Sequence, residues 1–157
     1  MTSDAPPRLR PATVADAPRL AAIARAAYAR YVERLGGREP RPMSEDYAAV
    51  VAAKQVLVAE RGGELVGLVV LEVDAEGFVV DNVAVDPAHA GTGVGRALLR
   101  AAEAEAARAG FDSIYLYTHE RMTENIALYE RIGYVEYDRR AHGRDADLLV
   151  YLRKPLG

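Results

Sequence analysis

Apolar residues fall at helical spacing between residues 17 and 35, where Leu20, Ile23, Ala27 and Tyr31 share one face. Asp16 stands where a cap is needed, Pro18 lies in the first turn, and Gly36-Gly37 closes the segment. A short strand over residues 9–11 precedes it. The stretch 36–42 mixes glycine, proline and charge and reads as a loop, after which Ser44 caps a second short helix reaching residue 53. From residue 56 the pattern becomes that of strands, over 56–61, 65–73 and 78–85. Gly62-Gly63 and residues 74–77 supply the turns, so these three strands form an antiparallel meander, stopped by Asp86-Pro87.

The second half changes period again. Glycines at 91, 93 and 95 open a helix that runs to residue 109, with Leu98, Leu99, Ala102 and Ala106 inward and Gly110 as its C-cap. A strand over 113–118 follows, which makes one parallel crossover with 78–85. Residues 124–132 form a short helix ended by Gly133, and strands over 134–139 and 146–152 close the chain as a hairpin across Gly143. The expected architecture is α/β: one domain over 1–157, with four helices covering both faces of a mixed sheet of six or seven strands.

Composition narrows the chemistry. Half of the 157 residues are hydrophobic, enough for a sizeable core. The absence of cysteine removes disulfides, thiolate nucleophiles and cysteine-held metals. The three histidines, His89, His119 and His142, lie far apart and make no metal-binding pair, so no metal is expected. A net charge of −3 without a long basic run argues against a nucleic-acid partner. No apolar run approaches the ~18 residues of a membrane span, and the polar start lacks a signal-peptide core, so a cytoplasmic protein is expected.

The richest stretch runs from Val83 to Arg96: a strand, then glycines spaced two apart, then a helix start. Glycine lets backbone N–H groups approach an anion, and a helix N-terminus adds unpaired donors. A phosphate or pyrophosphate suits such a loop, and a tight turn without ligand is the alternative. No lysine follows in P-loop register, and the loop comes after an antiparallel meander rather than at the start of repeated βαβ units.

With a second stretch, Asn125-Ile126-Ala127-Leu128-Tyr129-Glu130-Arg131-Ile132-Gly133-Tyr134, this segment resembles the GCN5-related N-acetyltransferase (GNAT) superfamily over nearly the whole chain. The family's signature of glutamine or arginine, two residues, glycine, one residue, then glycine or alanine matches at Gly93 and Gly95. Its first position falls on Ala90, where this chain departs. The resemblance implies a GNAT-like fold, acetyl-coenzyme A as cosubstrate, and pyrophosphate contacts from the backbone of Gly91, Gly93, Val94, Gly95 and Arg96. It places Val83 and Val85 beside the coenzyme arm, Asn125 against it and Tyr129 near the thioester sulfur. It also implies a homodimer, since relatives often pair.

The resemblance further implies an N-acetyltransferase acting on a primary amine of a small molecule or peptide by direct attack on the thioester. A non-catalytic acyl-coenzyme A sensor is the alternative. Tyr129, with a phenol pKa near 10, is either the general acid or a packed ring. Asp81, where relatives often carry a glutamate, is a base, a substrate anchor or a structural carboxylate. Tyr28 and Tyr31 either wall the acceptor pocket or pack the first helical arm. His119 is either a proton-transfer group at that pocket or a solvated loop residue.

Overall fold

The computed structural model describes residues 5–143 and 147–157. Its elements run β1 (Arg8–Pro11), α1 (Ala17–Arg34), α2 (Tyr47–Ala53), β2 (Gln55–Arg61), β3 (Glu64–Asp74), β4 (Gly77–Val85), α3 (Val94–Arg108), β5 (Ser113–His119), α4 (Thr123–Arg131), β6 (Val135–Ala141) and β7 (Leu148–Pro155). Seven strands form one sheet in the order β1-β2-β3-β4-β5-β7-β6. The expected parallel pair is present, Phe78–Ile114 to Val80–Leu116 across β4 and β5, and the other pairings are antiparallel.

Strands β2 and β3 are buried on both faces, so alternate residues feed two cores. Leu57, Ala59, Val69 and Leu71 join Leu98, Leu99 and Ala102 of α3 on one side. Val56, Val58, Leu68 and Val70 meet Leu20, Ile23 and Tyr47 of α1 and α2 on the other. Gly67 sets how closely α3 approaches. A Cβ there would stand 2.9 Å from Val94 Cγ1 and 3.0 Å from Leu98 Cδ1, so the first turn of α3 rests on bare β3 backbone. No helix among the described residues is long and apolar enough to cross a membrane.

Three local expectations are corrected. Asp46, not Ser44, caps α2 by accepting Ala49 N–H at 3.2 Å, because a 3-10 turn at Arg41–Met43 takes up Ser44. That turn also interrupts the stretch read as a loop. Asp16 precedes α1 but turns its carboxylate back to Thr13 N–H at 2.8 Å and to Arg10. β7 runs on to Pro155, and its expected start at Ala146 lies outside the described residues.

The hydrogen bonds from Arg10, with the Thr13 N–H, outweigh burial and hold the Asp16 carboxyl at about 2. Its contribution to stability is therefore complete above pH 4 and lost as pH falls toward 2. Asp16→Ala should cost about 1 kcal/mol near neutral pH. Urea titrations at pH 7 and pH 3 should show the gap between wild type and variant shrinking at the lower pH.

Candidate active site at the split between two strands

One extra residue in β4 opens the sheet. Val70 faces Asn82 and Leu71 faces Val80, so Asp81 has no partner on β3. Pairing of β4 with β5 ends at Val80 and Leu116, while β4 continues along β3 to Val85. Asp86 N–H donates to Val66 O at 2.8 Å, which by strand alternation turns the N–H and C=O of Val83 and Val85 toward the gap. Beside that free edge lies a cavity of about 580 Å³ between α1, β4, α3 and α4.

The glycine loop forms one end of this cavity. Gly91 and Gly93 have φ of 75° and 93°, a left-handed backbone that favours glycine. Gly93 is the residue before α3, and the first intrahelical bond is Ala97 N–H to Gly93 O. That leaves the N–H groups of Val94, Gly95 and Arg96 unused by the helix at the loop end of the cavity. Gly91, Gly93, Gly95 and Arg96 line it, whereas the Val94 side chain is buried in the core against Gly67. Val94 therefore offers the cavity only backbone.

Helix α4 supplies the opposite wall. Asn125 and Tyr129, one turn apart, both line the cavity. Asn125 Oδ1 accepts from the Tyr31 hydroxyl at 3.3 Å, and that hydroxyl accepts from Arg30 Nη2 at 2.8 Å. The Tyr129 ring packs edge-on against Tyr134 with centroids 6.1 Å apart, and its hydroxyl has no hydrogen-bond partner among the described residues. Burial pushes that phenol well above its ordinary pKa, so it is a standing proton donor at neutral pH.

A second cavity, about 200 Å³, opens on the other side of Tyr28 and is lined by Asp81, Arg41, Tyr117, His119, Met122 and neighbours. Asp81 accepts from the Tyr117 hydroxyl at 2.8 Å, Arg41 Nη2 at 3.2 Å and Lys54 Nζ at 3.2 Å. Burial alone would raise its pKa, but Arg41, Tyr117 and Lys54 outweigh it and hold the carboxyl below its usual range. His119 ends β5 and is buried, not a solvated loop residue. Its Nδ1 accepts Arg121 N–H at 3.2 Å and its Nε2 lies 3.7 Å from Asp147.

Tyr28 lines both cavities, and its hydroxyl lies 2.7 Å from Asn82 Oδ1 and 3.1 Å from Val83 O. Tyr31 lines only the larger one, beside Asn125. Nothing in residue spacing distinguishes these two tyrosines. Their placement depends on the opening beneath α1.

A family model described as the Acetyltransferase (GNAT) family matches residues 20–134. The chain belongs to this family. A mycothiol acetyltransferase from Thermobispora bispora is 38% identical over 87 residues, which is 51% of this chain and 30% of that protein. An IAA acetyltransferase from Azospirillum brasilense is 33% identical over 102 residues, 64% of this chain and 67% of the relative. The PaiA N-acetyltransferase from Thermoplasma acidophilum, solved with coenzyme A, shares the fold with a TM-score of 0.76. It is 18% identical and aligned over 95% of this chain and 98% of that one.

In this GNAT-family chain a Cβ at Gly93 would meet nothing within 4 Å, so a substitution acts through backbone strain rather than the clash that a crowded loop would give. Gly93→Val should shift the loop and weaken coenzyme A binding by roughly 5- to 150-fold, for a strain of about 1–3 kcal/mol. Isothermal titration measures it, and an unchanged affinity would remove the loop from the binding site.

Proposed function

We propose that this protein is an acetyl-coenzyme A-dependent N-acetyltransferase that acylates a primary amine of a small molecule or peptide by direct attack on the thioester. The observation that carries the reading is the free β4 edge at Val83 and Val85, placed between the glycine loop and Tyr129 in one cavity. An extended thioester arm has backbone partners there, and its pyrophosphate has the N–H groups from Gly91 to Arg96. The acceptor enters from the smaller cavity and meets the thioester beside Tyr28, which borders both.

Attack and leaving-group departure each have a group to serve them. The amine nitrogen bonds to the carbonyl carbon while the Val83 N–H faces the oxygen on which charge develops. As the carbon–sulfur bond breaks, Tyr129 gives its proton to the departing sulfur. Asn125 holds Tyr31 and the α1 wall in register with α4. Asp81, ionised and already paired with two cations, orients the acceptor by accepting its hydrogen bonds, and the amine loses its surplus proton to water. Such an enzyme works in the cytoplasm, where its coenzyme is made.

Release of coenzyme A thiol with a panel of amines tests the reading. Tight coenzyme binding without release for any amine would instead support a non-catalytic acyl-coenzyme A sensor. Tyr129→Phe keeps the ring against Tyr134, so coenzyme affinity should stay near wild type. Turnover should fall by about 10²–10⁴-fold, the range of a lost proton donor. A near-normal single-turnover rate would return Tyr129 to packing.

Asp81→Asn gives a different signature. Because the carboxyl is held below its usual range, it is ionised throughout pH 6–9 and does not titrate there. The variant should raise the acceptor KM while kcat/KM keeps its acid limb. Disappearance of that limb would make Asp81 the base.

A further inference from the structure

Arg61 ends β2, on the far side of the glycine loop from the free β4 edge, and is only 7% exposed. Its Nη1 donates to Thr92 Oγ1 at 2.6 Å and its Nη2 to Thr92 O at 2.9 Å. Nη1 also faces His89 Nδ1 at 3.4 Å, and Nε donates to Ala5 O at 2.9 Å. Thr92 Oγ1 in turn donates to His89 O at 2.5 Å. His89 itself lines the larger cavity.

Two features make this more than a structural staple. Arg61 is thus a buried cation held against the loop, and among the described residues no carboxylate pairs with it. A buried charge is costly unless something compensates it. In front of the loop, Ala90 has no side chain with which to hold an anion, although this is the position where the family signature has arginine or glutamine.

We propose that Arg61 is the positioning residue of the pyrophosphate site: it fastens Thr92 and His89 from behind and presents a positive charge to the diphosphate through the loop. The inference rests on the coenzyme reading above. The loop between His89 and α3 then stays fixed with its glycine N–H groups available to the anion, whose charge complements that of Arg61.

Calorimetric titrations with coenzyme A and with pantetheine, which lacks the pyrophosphate and nucleotide, separate this role from general folding support. The proteins are wild type, Arg61→Ala, Arg61→Lys and Thr92→Val. Arg61→Ala should weaken coenzyme A about tenfold or more and leave pantetheine affinity unchanged. Thr92→Val should give a smaller loss with the same selectivity. Arg61→Lys, able to reach one partner but not both in parallel, should fall between wild type and Arg61→Ala. With a confirmed acceptor, the acetyl-coenzyme A KM should rise while kcat and the acceptor KM stay put. If Arg61→Ala fails to fold, Thr92→Val and Arg61→Lys decide the matter. Equal losses for coenzyme A and pantetheine, or an unchanged coenzyme A affinity, would overturn the inference. Failure of wild type to bind coenzyme A would instead overturn the coenzyme reading.

Discussion

The unpaired Asp81 in β4 governs the geometry of the whole site. Had β4 kept step with β3, Asp81 would have joined the ladder and the strand could have stayed beside β5 to its end. The extra residue bends β4, and pairing with β5 stops after Val80. Everything that a ligand can use follows from that opening: the backbone of Val83 and Val85, room for Tyr28 to reach the strand edge, and a separation between α3 and α4 wide enough for a cavity. A bulge costs ladder hydrogen bonds, so it must be held. Tyr28 donates toward Asn82, Asn82 Nδ2 to the Tyr47 hydroxyl at 3.2 Å, and Tyr47 to Pro42 O at 2.6 Å. Arg41 adds a bond to Asp81 O at 3.3 Å. The bulge is thus tied to α1, α2 and the 41–43 turn at once.

This explains which parts of the molecule could be read from residue order. The meander, the crossover and the helix after the glycines each rest on a local period or a turn residue, and they stand where those signals put them. The loop was legible because glycines at 91 and 93 meet a backbone requirement that few other residues satisfy. Asn125 and Tyr129 were legible as a helical pair. The bulge was not: the run Val79-Val80-Asp81-Asn82-Val83 reads as a strand in either register, and only pairing with β3 reveals the slip. Ser44 and Asp46 are both good caps, and the 3-10 turn ahead of them decides between the two. Arg61 left no signal, since an arginine beside a glycine turn normally points to solvent. Its contacts reach His89 and Thr92, 28 and 31 positions later.

The two cavities divide the labour by polarity. The larger combines an end built from backbone N–H groups that the helix leaves free with tyrosines and aliphatic side chains along β4 and α4. The smaller joins Leu35, Pro40, Met122 and Leu149 to a paired set of charges. Asp81 and Arg41 neutralise each other there, and Lys54 and Glu72 extend the set at 3.3 Å. Such a wall orients a polar acceptor through hydrogen bonds more than it attracts one by net charge. That property agrees with an enzyme whose selectivity comes from shape around the amine.

The proton inventory sharpens the chemistry. Burial raises the phenols of Tyr28, Tyr31, Tyr117 and Tyr129, so each remains a donor at neutral pH. Asp81, beside Tyr117 in the smaller cavity, is held ionised and below its usual range by Arg41, Tyr117 and Lys54. His119 turns Nδ1 to a backbone N–H and Nε2 toward Asp147, which leaves neither nitrogen directed solely at the acceptor. On the proposed reading Tyr129 is the acid for the departing sulfur, while Asp81, held below its usual range, is a poor base for the arriving nitrogen. Attack requires a neutral amine, and an ordinary alkylammonium has a pKa near 10. An amine of lower pKa, such as an α-amino group near 8, presents far more of its reactive form at pH 7 than a lysine-like one.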